Sequence, residues 1–233
     1  LQNNTLEELD KVSNKIKNFA ILAPTLISNE LKEGFGLTKN YGLYKKTLNT
    51  TSKFFEVDYV QGCALLLDKD ELKDVGFFDE DFFMYLEDVD FCLRAQVAGH
   101  CCLYLPDAIV YHMEAASDPM AGRIDHRHGQ GSEGNSSTVT RSGEYSRNRA
   151  YWITRNRWQL MITYQPLRHV VWLVYGWVRS GFSHLFKAGF LGSFLSGFLA
   201  GLWATPRALS KRFALSKTRT ISMRQFRELL KKC

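Results

Sequence analysis

Cysteine and proline are both scarce in this chain of 233 residues, with five of each. The cysteine count is odd and the sequence contains no Cys-x-x-Cys pair, which argues against a disulfide framework and favours a reducing, cytosolic setting. The chain also lacks an initiator methionine, a basic n-region and an apolar h-region at its start, so no secretory signal peptide is visible. We therefore expect a cytosolic fragment of a longer protein.

Acidic side chains are scarce only in the second part of the chain. Residues 1–140 contain 22 acidic and 13 basic residues, whereas residues 141–233 contain 2 and 17, so the overall charge of +6 conceals an acidic part and a basic part. The composition, 45% hydrophobic and 23% charged, excludes a disordered chain. The basic part favours nucleic acid or an anionic lipid surface, and composition alone does not choose between them.

Segments typical of strands and of helices alternate through the first part. Thr5-x-x-Glu8 is a capping box, which predicts a helix continuing to about Lys17. Short apolar runs bounded by proline or glycine predict strands, and segments followed by glycine predict helices. The predicted strands are 19–23, 57–67, 101–105 and 109–111, and the predicted helices are 70–75 and 87–98. This alternation predicts an α/β layer domain.

Composition divides the chain into three parts. Residues 116–148 are rich in Gly, Ser, Arg and His and poor in apolar residues, which predicts a flexible linker or a flap over an active site. Aromatic and aliphatic helices follow from position 149. We therefore predict an α/β domain at 1–115, the linker at 116–148, and a basic, aromatic helical region at 149–233.

The most informative segment is 60–112, in which five short motifs follow one another. They are Gln61-Gly62-Cys63-Ala64, Val75-Gly76-Phe77-Phe78-Asp79-Glu80, the run from Phe83 to Arg94 that contains Glu87-Asp88, Tyr104-Leu105-Pro106-Asp107-Ala108, and Val110-Tyr111-His112. Any one of them alone would be a weak signal. As an ordered string, the segment resembles glycosyltransferase family 2, in particular its rhamnosyltransferase-like bacterial members.

The resemblance implies an enzyme of the GT-A fold, a Rossmann-like α/β sandwich that binds a nucleotide-sugar and transfers the sugar with inversion. Asp88 would be the general base that takes the proton from the acceptor hydroxyl, and Glu87 would position it or contact the acceptor. Gln61, Gly62 and Cys63 would line the pocket for the acceptor and donor.

The resemblance also implies a divalent metal, Mg²⁺ or Mn²⁺, which neutralises the departing diphosphate. His112 would complete the metal's ligand set. In the family, the metal-binding Asp-x-Asp motif belongs to the front half of the domain. The two Asp-x-Asp sequences of this chain, Asp68-x-Asp70 and Asp79-x-Asp81, lie in segments that do not match that motif, so we expect the front half to be missing. We therefore expect a partial GT-A domain that is weakly active or inactive on its own.

Elementary chemistry allows a second interpretation of these residues. A carboxylate at the start of a helix is held firmly and can serve as a base, and neighbouring acids raise its pKa. Acid clusters at helix N-termini are also commonly complements to the helix dipole. For His112, the sequence supports a ligand role and a structural role equally.

The basic part begins with a repeated triplet, Arg147-Asn148-Arg149 and Arg155-Asn156-Arg157. Arg147 and Arg149 are candidates to bind the donor diphosphate, because arginine makes bidentate contacts with phosphate. Contact with lipid headgroups, or a purely structural contact, is the alternative.

The segment 188–204 is uncharged for 17 residues, which is short for a spanning helix of about 20 residues. Gly189, Ser193, Gly197 and Gly201 recur every four residues and form a stripe suited to close helix contact. With the basic residues that follow, this predicts a helical pair lying on the cytoplasmic face of a bacterial inner membrane, peripheral or monotopic. A buried hairpin or a contact in a homo-oligomer is the alternative, and the apolar run argues against nucleic acid.

The predicted function is transfer of a sugar from a nucleotide-sugar donor, with deoxythymidine-diphosphate-rhamnose as the first candidate, to a glycan or lipid-linked acceptor. A non-catalytic, membrane-bound interaction module or pseudoenzyme is the alternative.

Overall fold

The computed structural model describes residues 4–16, 19–27, 36–37, 43–44, 53–70, 72–111, 147–168, 170–172, 174–176, 179 and 190–218. The helices are α1 (Thr5–Ser13), α2 (Leu72–Val75), α3 (Glu87–Ala98), α4 (Arg147–Tyr164), α5 (Leu191–Trp203) and α6 (Thr205–Thr218). The strands are β1 (Phe19–Ile27), β2 (Gly36–Leu37), β3 (Leu43–Tyr44), β4 (Phe55–Glu56), β5 (Leu66–Leu67) and β6 (Cys101–Tyr111). The expected mixed α/β class is confirmed.

The central sheet has four strands in the order β4-β6-β1-β5. β1 and β6 are parallel, and β4 and β5 pair antiparallel with them at the two edges. β1 is buried from Phe19 to Leu26, as its continuous apolar run indicates for a strand covered on both faces. β2 and β3 form a separate antiparallel pair.

Both long strands pass through a proline that was expected to end them. β1 continues through Pro24, and the two strands predicted at 101–105 and 109–111 are the single strand β6. The register shifts after Pro24, so residues 106–108 bulge from β6. Thr25 Oγ1 donates a hydrogen bond to Pro106 O at 3.0 Å and so stabilises the bulge.

The strand predicted over 57–67 is confirmed only at its end, where Leu66–Leu67 forms β5; residues 57–65 lie outside the sheet. Val57 N donates to Cys102 O of β6 at 2.9 Å, and other backbone groups of the segment bond to side chains of α3. Val60 N donates to Cys92 Sγ at 3.4 Å, and Gln96 Nε2 donates to Asp58 O at 2.6 Å. These contacts give backbone groups of the segment hydrogen-bond partners outside a strand ladder.

The capping box predicted for α1 was also wrong. Asn4 is the N-cap residue, and Thr5 Oγ1 donates to Ile109 O of β6 at 2.6 Å, which buries Thr5. The helix ends at Ser13, four residues before the predicted end at Lys17.

The apolar core is continuous from the sheet to the helices of the basic part. Its buried side chains come from β1, α3 and β6 and from α4, α5 and α6; they include Ile21, Phe91, Leu93, Leu160, Met161, Phe194 and Ala208. A smaller cluster lies under α1 and includes Leu9, Leu22 and Leu105.

Two glycines of the small-residue stripe, Gly197 and Gly201, pack within the chain against α4, and Gly189 lies outside the described residues. A Cβ atom on Gly201 would lie 2.9 Å from Trp158 Cβ, and one on Gly197 would overlap Tyr151 O. Phe198 adds an edge-to-face contact with Trp158, with ring centroids 5.2 Å apart. None of the helices in the described ranges has the length and apolar character needed to cross a membrane.

Arginine from α6 completes the end of α4. Arg212 Nη1 donates to Ile162 O at 2.8 Å and to Gln165 O at 2.5 Å, so it satisfies carbonyl groups that the helix end leaves without intrahelical partners.

Candidate functional site

The site is built around the start of α3, where the chain enters the helix through a strained turn. Tyr85 has φ +65° and Leu86 has φ +68°, so two consecutive residues with side chains adopt the left-handed conformation. Each such residue costs about 1–2 kcal/mol, and strain of this kind persists only where the surroundings hold it. Glu87 and Asp88 follow immediately as the first residues of α3.

Two residues of α4 hold this turn from outside. Asn156 Nδ2 donates to Met84 O at 2.9 Å and to Tyr85 O at 2.8 Å. Arg155 Nη1 donates to Asp81 O at 2.6 Å and to Asn156 Oδ1 at 2.8 Å. The backbone of residues 81–85 is therefore fixed by side chains more than 70 positions away in the sequence.

Asp88 is fixed by two backbone N–H groups. Its Oδ2 accepts from Gly62 N at 3.0 Å, and its Oδ1 accepts from Val89 N at 2.8 Å. The 61–64 turn approaches Asp88 closely: a Cβ on Gly62 would lie only 3.3 Å from Asp88 Cβ, so a larger residue would displace one of the two by a few tenths of an ångström. Each carboxylate oxygen has a second lone pair that can accept another hydrogen bond, such as one from a substrate hydroxyl.

The electrostatics of the site favour the protonated form of several groups. Burial raises the pKa of Asp88, and the N–H groups of Gly62 and Val89 oppose that rise. Burial also raises the pKa of Glu87, with a contribution from the charge of Asp88, and Glu87 Oε2 is buried with no hydrogen-bond partner among the described residues. The pKa of the Tyr59 phenol is raised far above its ordinary value by burial and then by Asp88.

The structure brings several of the predicted site residues together. Gln61, Gly62 and Cys63 form the turn over Asp88, and the Cys63 side chain is exposed. Glu87 is beside Asp88 at the start of α3.

The predicted arginines are placed less centrally. Arg149 lies with its guanidinium 5.6 Å from the centre of the Tyr85 ring, next to the strained turn. Arg147 is exposed at the first position of α4. His112 lies outside the described residues.

Sequence reasoning missed a buried network behind the site. Asp90 Oδ2 accepts from Arg94 Nε at 2.8 Å, Asp90 Oδ1 accepts from the Tyr164 hydroxyl at 2.8 Å, and Arg94 also donates to Val75 O and Phe77 O. The Asp90–Arg94 spacing of four residues on a predicted helix was the signal that could have revealed the pair.

Sequence reasoning also missed the partners of the acidic loop. Lys211 of α6 forms ion pairs with Asp79 and with Asp81, the latter at 2.6 Å, and Arg207 lies 3.3 Å from Asp81. The hydrogen bond from Lys211 lowers the pKa of Asp81. Part of the basic tail therefore neutralises the acidic loop of the same chain.

The described residues do not supply a ligand set for a divalent metal. No group of three or more His, Cys, Asp or Glu side chains in the described ranges is arranged to hold an ion. Asp79 and Asp81 are occupied by Lys211, and Asp88 by backbone N–H groups. His112 falls outside these ranges, so the metal stays a prediction.

Comparison with known proteins identifies partial relatives. No protein-family model matches the sequence. A protein of Mycobacterium tuberculosis named N-acetylglucosaminyl-diphospho-decaprenol L-rhamnosyltransferase is 40% identical over 73 residues, which is 30% of this chain and 24% of that protein. The rhamnosyltransferase WbbL of Escherichia coli is 31% identical over 93 residues, 39% of this chain and 31% of that protein.

An archaeal relative carries the same kind of name. The low-salt glycan biosynthesis hexosyltransferase Agl10 of Haloferax volcanii is 26% identical over 87 residues, 34% of this chain and 28% of that protein. The matched region thus spans about a quarter to a third of the length of these curated relatives. The partial similarities support a relationship between this chain and glycosyltransferases.

Proposed function

We propose that this chain forms the acceptor-side part of an inverting glycosyltransferase in which Asp88 is the general base. The observation that carries the proposal is a partly buried carboxylate, fixed by Gly62 and Val89 N–H groups, at the end of a strained turn. Partial similarity to proteins named rhamnosyl- and hexosyltransferases supplies the reaction class.

The reaction needs a base that is ionised but more basic than a solvent-exposed aspartate. Burial raises the pKa of Asp88, while two N–H donors keep the ionised form accessible. In the proposed step, Asp88 takes the proton of an acceptor hydroxyl as that oxygen forms a bond to the anomeric carbon of the donor. The bond from that carbon to the diphosphate breaks, and the diphosphate leaves with the electron pair.

The neighbouring residues have supporting roles in this proposal. Glu87, with its free buried oxygen, would accept a hydrogen bond from the acceptor, and Gln61, Gly62 and Cys63 would form the wall of the pocket. Arg147 and Arg149 would face the diphosphate. The metal, Mg²⁺ or Mn²⁺, has no ligand set among the described residues, so no step of the proposal passes through it.

The substrates are proposed from the relatives' names. Two of the relatives are named rhamnosyltransferases, which supports a nucleoside-diphosphate rhamnose as donor. One name specifies an N-acetylglucosaminyl-diphospho-decaprenol, which supports a lipid-linked acceptor.

The test of this function is a transfer assay with the complete protein that contains this chain, deoxythymidine-diphosphate-rhamnose and membranes. Product that forms with the unaltered protein and disappears with Asp88→Asn would support the proposal. A complete protein that binds nucleotide-sugar but transfers nothing would identify a pseudoenzyme instead. If it bound no nucleotide-sugar, the transferase proposal would be wrong.

We also propose that the helical region contacts the cytoplasmic face of the bacterial inner membrane. The outer face of α5 exposes apolar side chains, with Trp203 89% exposed beside Leu195, Leu199 and Leu202. Helix α6 follows with four basic residues, of which Arg207 and Lys217 are exposed, and no acidic residue. Apolar side chains beside cations are the combination that binds anionic lipid surfaces.

Flotation with vesicles tests this membrane contact. The chain should float with anionic vesicles. Trp203→Ala combined with Leu199→Ala should reduce the bound fraction several-fold, because each substitution removes apolar surface that the lipid would bury. Tyr111→Ala, which removes an aromatic side chain exposed elsewhere, is the matched control. Equal binding by all variants, or displacement of the vesicles by RNA, would contradict the proposal.

A further inference from the structure

The Asn156 side chain is the most completely enclosed polar group near the strained turn. It is 0% exposed, and its amide donates to Met84 O and Tyr85 O while its oxygen accepts from Arg155. These contacts therefore use three of the four hydrogen bonds that an asparagine side chain can make. A buried amide arranged in this way fixes the backbone that it contacts, because leaving either carbonyl without a partner is costly.

The backbone that Asn156 contacts leads directly into Asp88. Tyr85 and Leu86 are both left-handed, and their conformation sets the direction in which α3 begins. A right-handed Tyr85 would swing the first turn of α3 and with it the carboxylate that bonds to Gly62 N. Among the described residues, Asn156 is the hydrogen-bond donor to both the Met84 and the Tyr85 carbonyl.

We propose that Asn156 is a positioning residue that sets the orientation of Asp88 through the turn at Met84–Leu86. This inference rests on the proposed function for its catalytic meaning. It assigns a role in the site to α4, a helix of the region predicted from sequence as membrane-associating.

The body of α3 is held by different contacts from the turn. An effect on the orientation of the turn can therefore be separated from an effect on the packing of the helix. Asp90, Arg94 and Tyr164 bind the helix downstream of the turn. Loss of Asn156 should therefore loosen the turn and the first residues of α3 while the core packing of Val89 and Phe91 stays in place.

The first test uses the 233-residue chain and measures amide hydrogen exchange and the NMR pH titration of the Asp88 carboxyl. Asn156→Leu, nearly isosteric but without hydrogen bonds, should speed exchange in residues 85–90 by about tenfold or more and shift the titration of Asp88. The matched control is Gln159→Met, which removes a buried amide of the same helix that has no hydrogen-bond partner among the described residues. Equal behaviour of the two variants would overturn the proposal.

A suppressor variant separates positioning from general stability. Tyr85→Gly removes the cost of the left-handed conformation, so in combination with Asn156→Leu it should restore a large part of the lost protection. Absence of any such coupling would count against the proposal. If Asn156→Leu does not fold, Asn156→Ser, which keeps one donor, takes its place with an intermediate effect expected.

The complete protein supplies the catalytic readout. There, Asn156→Leu should lower kcat about tenfold or more, shift the pH profile of the reaction, and leave the KM for the donor unchanged. A change in KM alone would overturn the positioning role. If the unaltered complete protein transfers no sugar, the proposed function fails by itself, and the exchange and titration results still decide whether Asn156 orients Asp88.

Discussion

Two aspartates of α3, two positions apart, occupy opposite situations. Asp90 is 3% exposed, and its carboxylate accepts hydrogen bonds from the Arg94 guanidinium and the Tyr164 hydroxyl. Asp88 is partly exposed, and among the described residues its carboxylate accepts hydrogen bonds from the backbone N–H groups of Gly62 and Val89. Burial raises the pKa of both carboxyls, but Arg94 opposes the rise at Asp90, whereas no cation does so at Asp88.

The difference shows what distinguishes a structural acid from a candidate catalytic one. The Asp90 carboxylate pairs with the buried Arg94 guanidinium and accepts a hydrogen bond from the Tyr164 hydroxyl, so we expect its loss to lower the stability of the fold. The Asp88 carboxylate pairs with no cation in the part of the chain that the structure describes, and it follows a strained turn. Proteins commonly place functional groups at such turns, at a cost in stability. We therefore expect substitutions at the two positions to affect different measurements.

The largest expected effect is on the free energy of unfolding of Asp90→Ala. Removing the carboxylate leaves Arg94 buried without its ion-pair partner, and breaking such a pair costs about 3–5 kcal/mol. Urea unfolding of the chain should report this loss. Tyr164→Phe, which removes only the phenol hydrogen bond, should cost about 1 kcal/mol. If the loss for Asp90→Ala were no larger than for Tyr164→Phe, the structural role assigned to the ion pair would be wrong.

A smaller effect is expected from Gly62→Ala, and it should appear in activity. The added methyl lies 3.3 Å from Asp88 Cβ, so the carboxylate must move by a few tenths of an ångström. We expect transfer by the complete protein to fall about tenfold, because small displacements of a catalytic group are expensive. The control is Gly192→Ala in α5, whose methyl would contact nothing within 4 Å and should stabilise the helix by about 1 kcal/mol. Unchanged transfer by Gly62→Ala would show that this contact does not orient the base.

The smallest effect is the pH dependence of stability in Asp88→Asn. Because the pKa of Asp88 is raised in the folded state, its contribution to stability is complete below the pKa of the unfolded chain, about 3.9, and is lost as pH rises through the folded value. The Asn variant should therefore match the unaltered chain at low pH and gain relative stability towards neutrality. Urea unfolding over this pH range measures it, and a variant that instead loses relative stability as pH rises would contradict the assigned environment.

The sequence allowed α3 to be predicted to the residue. Its acidic first turn and the terminating Gly99, at φ +99°, are local signals that need no knowledge of the rest of the fold. The same local signals predicted that Glu87 and Asp88 are the first residues of α3. The mixed α/β class followed from the alternation of apolar runs and helical segments.

The errors come from contacts between distant parts of the chain. Residues 57–65 have a strand-like composition, but side chains of α3 bond to backbone groups of Asp58 and Val60, and nothing near them in the sequence indicates this. The two Arg-Asn-Arg triplets look alike, yet Asn148 is exposed and Asn156 is fully buried against a turn more than 70 positions earlier. Only the fold distinguishes the two copies.

The most direct test of the central claim is the single-turnover rate of sugar transfer by the complete protein with Asp88→Asn. The control is Asp70→Asn, an exposed carboxylate paired with Lys73 away from the site. The account predicts that Asp88→Asn slows transfer about 10²–10⁴-fold while Asp70→Asn leaves it unchanged. Equal rates for the two variants would contradict the assignment of Asp88 as the base.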